Sequence, residues 1–162
     1  MVVYSTTEIM PQLDLGYIGL FLGLRVNQLV MERMHARGFK GVRESHGYVI
    51  QHLIEKERSI TELARRMEVT QQAASKAIAE LAKLGMLQIG KAADGRAKNV
   101  RLSRRGWSAV HEGRRIRRRI EKRLIRITGA ENYDKANSTL SACLKALGGM
   151  ERVRSRRILP QQ

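Results

Sequence analysis

Between residues 14 and 37 apolar side chains recur at helical spacing, with Asp14 as the predicted cap and Gly38 as the stop. Tyr17, Leu20, Leu24, Met31 and Met34 form one stripe, and Ile18, Phe21, Leu22 and Leu29 widen it until the helix is apolar on two sides. Such a helix is normally buried on two sides. A second copy of the chain is the simplest source of the second surface. After a break at 38–41, residues 43–56 read as a second helix that turns Val49, Ile50, Leu53 and Ile54 inward. Leu63, Ala64 and Met67 mark a short helix capped by Ser59 or Thr61. Thr70 caps another over 71–84, with Ala74, Ile78 and Leu81 inward and Gly85 as its left-handed terminator. Two short helices across a tight turn make a helix-turn-helix.

Residues 86–90 and 100–102 alternate on either side of a loop centred on Asp94-Gly95, the pattern of a β-hairpin. A hairpin directly after a helix-turn-helix makes it a winged helix. Ser103 then caps a long helix to about residue 128, striped by Trp107, Val110, Ile116, Ile120, Leu124 and Ile127. Beyond Gly129 a last helix over 131–147 presents Tyr133, Ala136, Leu140, Leu144 and Leu147, and Gly148-Gly149 ends it. The residues before 13 read as a lead-in and the tail after 149 as frayed. The predicted class is mainly α with a small β-hairpin wing, a winged helix-turn-helix between flanking helices.

Composition narrows the partner. Hydrophobic residues are 43% of the 162, enough for a core, and aromatics only 4%, so that core is aliphatic and Met-rich. Lys and Arg number 31 against 15 Asp and Glu, a net charge of +16. Residues 1–90 hold 11 basic and 9 acidic side chains, residues 91–162 hold 20 and 6. A field that strong, concentrated in the second half, calls for a polyanion. The single cysteine excludes an intramolecular disulfide framework and a multi-Cys zinc site, and fits a reducing cytoplasm. Cys143, among Leu140, Leu144 and Leu147, reads as a buried structural thiol. The most apolar run, residues 15–24, is half the ~20 residues a membrane helix needs, so no membrane is expected. His46 and His52 are six apart, ~240° around an ideal helix, and cannot chelate together. Neither paired carboxylates, nor a nucleophile elbow, nor a phosphate-binding glycine loop is visible, so neither catalysis nor a cofactor or metal is expected.

The stretches 60–69 (ITELARRMEV), 70–87 (TQQAASKAIAELAKLGML), 94–98 (DGRAK) and 100–106 (VRLSRRG) together resemble the MarR (multiple antibiotic resistance regulator) family of transcription factors. The order of these motifs, with Asp-x-Arg in the wing and Leu-Ser-x-x-Gly after it, is what makes the resemblance specific. It implies an intertwined homodimer on pseudo-palindromic double-stranded DNA, usually a repressor released by a small anionic or aromatic effector. Residues 38–103 would then be the DNA-binding domain, and 1–37 with 104–162 the dimerisation region. In the family the effector pocket lies where the dimer helices meet the winged domain. Tyr17, Phe21, Tyr48 and Trp107 are candidate walls, against the plainer reading that aromatics at helical spacing are core. Peroxide-sensing members carry a reactive cysteine near the N-terminus, where this chain has none.

Residue chemistry points to the same partner independently. With Ala74, Ile78 and Leu81 inward, Gln71, Gln72, Ser75 and Lys76 lie on the outer side near the helix N-terminus. Gln can pair with adenine N6 and N7, Lys can donate to guanine, and Ser suits either base or phosphate. In the wing Lys91 and Lys98 flank Arg96, and a guanidinium at a hairpin tip can enter a minor groove. By the resemblance Arg96 is the minor-groove reader and Asp94 orients the wing through an ion pair. Ser59, Thr61 and Thr70, at the helix starts, complete the expected DNA-contacting set. The alternatives are a polar solvated helix face and an ordinary Asp-Gly turn. The basic run 114–126 reads first as a solvated face, and secondly as a flank for DNA or a cleft for an anionic small molecule. The competing functions are an effector-independent DNA-coating or architectural protein and a winged-helix protein-interaction module.

Overall fold

The computed structural model describes residues 13–91 and 98–155. The first helix, α1 (Leu15–Ala36), starts on Asp14, whose Oδ1 accepts from the Tyr17 amide at 2.9 Å. Helix α2 (Glu44–His52) stops four residues before the predicted 56. The reason is Arg58, 3% exposed, whose Nε donates to the His52 carbonyl at 2.7 Å. That bond satisfies a helix-end acceptor and turns the chain into β1 (Arg58–Ser59), a strand too short to leave an alternating pattern. Helix α3 (Ile60–Met67) is capped by Ser59 rather than Thr61, with Ser59 Oγ accepting from the Glu62 amide at 3.1 Å. Helix α4 (Gln71–Lys83) is capped by Thr70, whose Oγ1 accepts from the Ala73 amide at 3.1 Å.

Strands β2 (Leu87–Lys91) and β3 (Lys98–Leu102) pair antiparallel from Leu87 opposite Leu102 to Lys91 opposite Lys98. β1 adds to the other edge of β3, so the wing is a three-stranded sheet in the order β1-β3-β2 rather than a bare hairpin. Helix α5 (Arg104–Thr128) follows from the Ser103 cap, α6 (Ala130–Ala146) from Gly129, and α7 (Met150–Ser155) forms where the tail reads as frayed.

The core joins these elements. Val49, Leu63, Ile78, Leu81, Met86 and Val100 are at most 1% exposed. Val30 and Met34 of α1 meet the same cluster as Ile116 and Ile120 of α5. At Gly106 the start of α5 lies against the strand entry so closely that a Cβ would sit 2.2 Å from the Met86 carbonyl oxygen. The Leu-Ser-x-x-Gly signature therefore has a packing cause. Two parts of the predicted helical stripes stay outside: Trp107 is 37% and Ile127 67% exposed. No residue of α6 is buried, so Leu140, Leu144 and Leu147 form an uncovered apolar face and Cys143 is only half-buried.

Candidate nucleic-acid interface

Helix α4 is held by its inner face and by one polar cluster. Ala74, Ile78 and Leu81 are at most 1% exposed, which leaves Gln71, Gln72 and Lys76 outward and Ser75 half-buried. Near its far end Glu80 accepts from Arg43, and His46 Nε2 lies 3.2 Å from Glu80 Oε2. His46 is 2% exposed, and its Nδ1 accepts from the Arg43 amide at 3.2 Å. The His46 hydrogen bond, with the charges of Arg43, His46 and Lys76, outweighs burial and holds the Glu80 carboxyl below the usual range. Helix α2 thus clamps α4 against rotation, and Gln71, Gln72 and Lys76 project from a fixed support. Arg43 and Glu80 are 37 positions apart, and no local pattern in the sequence links them.

The preceding helix is fixed in a comparable way. Arg58 reaches Glu62 Oε1 at 2.5 Å and Glu55 at 3.5 Å, and Arg66 Nε donates to Glu62 Oε1 at 3.0 Å. Burial alone would raise the Glu62 carboxyl, but the hydrogen bonds and charges of Arg66 and Arg58 prevail and lower it. Ser59, which caps this helix, also faces Asn99 across β1–β3, one residue from Lys98. So the start of α3 and the base of the wing are parts of one sheet. Thr61 and Lys98 are exposed. Lys91 lies opposite Lys98 in strand register. Asp94 and Arg96 lie outside the described residues.

Two clefts border the α1–α5 pair. The first, about 560 Å³, lies among α1, α2 and α5 and is lined by Met31, Met34, Tyr48, Ile50, Arg114 and Arg117 among others. Of the four aromatic candidates only Tyr48 belongs to it. Tyr17 and Phe21 stand with ring centroids 5.5 Å apart on the exposed face of α1, and Trp107 borders a separate groove beside Leu53 and Arg104. Burial and the nearby Glu44 charge raise the Tyr48 hydroxyl, which keeps it a neutral donor. The second cleft is strongly basic and lies between α1 and α5. Among the described residues no cluster of three or more His, Cys, Asp or Glu could hold a metal ion, and no helix is long and apolar enough to cross a membrane.

A helix-turn-helix with a three-stranded wing, set between long helices, is a winged-helix architecture. Residues 40–97 match the model of the MarR family, and this segment is a MarR-family winged helix-turn-helix. Solved structures agree over most of the chain. YusO from Bacillus subtilis superposes with a TM-score of 0.69 at 20% identity, covering 88% of this chain and 99% of its own. MepR from Staphylococcus aureus, a transcription regulator of the multidrug efflux pump MepA, gives 0.69 at 16% identity, covering 83% and 99%. A MepR–DNA complex gives 0.62 at 16% identity, covering 84% and 99%. Among curated proteins, no sequence matches this chain.

Proposed function

We propose that the protein is a homodimeric, sequence-specific regulator that represses transcription from a pseudo-palindromic operator and is released by a small effector. The observation that carries this reading is the clamped recognition helix. Gln71, Gln72 and Lys76 are exposed at the amino end of α4, while its opposite face is buried and its far end is tied to α2. A helix N-terminus presented in this way can enter a major groove with base-reading side chains in front. On this reading Ser59, Thr61, Thr70 and Ser75 meet phosphates around it. On the same reading the wing supplies a second contact, with Lys98 exposed on β3 and Lys91 paired with it in strand register. On this reading Arg96 reaches the minor groove and Asp94 orients it. The MepR–DNA complex, whose fold this chain shares, supports DNA as the partner.

Dimerisation would use the uncovered apolar faces of α1 and α6, with residues 1–37 and 104–162 as the dimerising region and 38–103 as the DNA-binding domain. The effector would occupy the cleft beside Tyr48, where Arg114 and Arg117 could meet an anionic or aromatic acid. Repression in the cytoplasm is the biological setting that fits these parts. The deciding experiment is selection of genomic DNA fragments with the purified protein. A recurring palindrome with half-sites about one helical turn apart, ~34–36 Å, is expected. Uniform retention of all fragments would replace this reading with that of a DNA-coating protein, and no retention at low salt would make the winged helix a protein-docking module.

A further inference from the structure

The basic run on α5 does not act as one face. Arg114 and Arg117 border the cleft beside Tyr48, Arg117 donating to Asn27 Oδ1 at 2.9 Å. Arg115 is engaged by Glu112, with Nε to Oε2 at 2.9 Å and a second nitrogen to Oε1 at 2.7 Å. Arg119, Lys122, Arg123 and Arg126 border the other cleft, about 560 Å³, and there they meet Arg33 of α1 and Arg37, which caps its carboxyl end. Six cations from two helices, far apart in sequence, thus converge on one concavity.

Among the described residues its only carboxylate is Glu112, already engaged by Arg115 and, at 3.8 Å, by Arg37. Arg119 adds a longer-range attraction to that same carboxylate. Among the described residues Arg33, Arg119, Lys122, Arg123 and Arg126 form no ion pair. A run of charges along one solvated helix would explain exposed arginines on α5, but not the two that α1 adds to the same cleft. Like charges gathered in this way repel one another, and the cost is relieved by a bound counter-ion.

From this convergence we propose that the cleft between α1 and α5 is a binding site for a condensed phosphate, either a free polyphosphate or the phosphate chain of a nucleotide. A monovalent anion would leave most of the excess charge unmatched, whereas linked phosphates place several charges within a few ångströms. Guanidinium forks bind phosphate oxygens bidentately, and arginine predominates here over lysine. The volume is within the ~300–1,000 Å³ typical of small-molecule sites, and buried Ile116 gives the cleft an apolar lining. No lining residue belongs to the helix-turn-helix or the wing, which separates this site from the DNA-reading surface.

The test is calorimetric titration of the full chain with tripolyphosphate, a nucleoside triphosphate and orthophosphate at physiological salt. Three proteins are compared: wild type, Arg119→Ser with Arg123→Ser, and a charge-matched control, Arg65→Ser with Lys83→Ser, exposed on α3 and α4. Wild type and control should bind tripolyphosphate saturably and melt at a higher temperature with it. The cleft variant should lose at least about tenfold in affinity. A nucleotide binding as tightly as, or more tightly than, tripolyphosphate would identify the nucleotide as the source, and the reverse would identify free polyphosphate. Equal weakening in cleft variant and control would overturn the site in favour of general charge attraction. So would loss of duplex DNA affinity in the cleft variant with tripolyphosphate binding intact. Tripolyphosphate binding to both folded variants as to wild type would overturn it as well.

Discussion

At the scale of single residues, the question for each polar side chain is whether it reads bases, anchors phosphate or holds the frame. Gln71 and Gln72 are exposed on a helix whose cap and clamp do not involve them, so their replacement should leave folding unchanged. Gln71→Ala and Gln72→Ala should each relax preference at particular base pairs, costing roughly 1–3 kcal/mol for every bidentate Gln–adenine pairing removed. Lys98→Ala should weaken all duplexes alike and flatten the salt dependence. Binding titrations against operator and random DNA separate the two, and equal effects on both DNAs for the Gln variants would remove α4 from base readout. Glu80 tests the frame instead. Its carboxyl titrates below the ordinary value of 4.5 because His46 and Arg43 stabilise the charged form. The clamp's contribution is therefore fully present above about pH 4.5 and is lost as pH falls through the lowered value. Wild type should exceed Glu80→Gln in stability at neutral pH, with the gap closing in acid. A gap that persisted unchanged at low pH in urea unfolding would show that the carboxylate is not what holds α4.

At the scale of elements, most boundaries are legible in the sequence because caps and terminators act locally. Asp14, Thr70 and Ser103 each accept from an amide three residues on, and Gly85 adopts φ +72°, all as the side-chain chemistry dictates. What the sequence hides comes from partners distant along the chain or from elements too short to show a period. Strand β1 is two residues long, and the early end of α2 depends on where Arg58 lands. The recognition surface is legible as a polar row on α4, whereas its clamp to α2 is not, since Arg43 and Glu80 share no periodicity. Likewise the basic run on α5 is visible, but its division between two clefts requires the position of α1. Gly106 is the residue through which the wing and α5 fit together. Gly106→Ala places a methyl 2.2 Å from the Met86 carbonyl and 3.2 Å from Leu102 Cδ2. Relief at the Met86 carbonyl requires backbone movement, so the destabilisation should reach the upper part of the ~1–3 kcal/mol usual for overpacking. Denaturant unfolding with unchanged stability would mean that α5 can slide on the sheet.

At the scale of the molecule, two apolar faces find no partner among the described residues. Along the first half of α1, Leu15, Tyr17, Ile18, Leu20, Phe21, Leu22 and Leu24 are 45–57% exposed, and α6 buries nothing. Contiguous apolar surface of this kind marks an interface, and helices of these lengths gain most of their stability from packing. The proposed second copy must therefore cover them against the repulsion of two chains of +16 each. That opposition gives the assembly a distinctive salt response. Added salt screens the repulsion between copies and leaves apolar burial intact, so dimerisation should hold or strengthen. The same salt removes the entropy gained by releasing counterions from DNA, so operator binding should fall steeply. Phe21→Glu with Leu24→Glu would place new charges in the apolar contact and should yield an 18.4 kDa species in sedimentation at any salt. Its operator affinity should drop by orders of magnitude, because each half-site would then be bound without its tethered neighbour. If the doubly substituted protein still sedimented as a dimer, or if raised salt dissociated the wild type, the apolar faces of α1 would not be the contact that joins two copies.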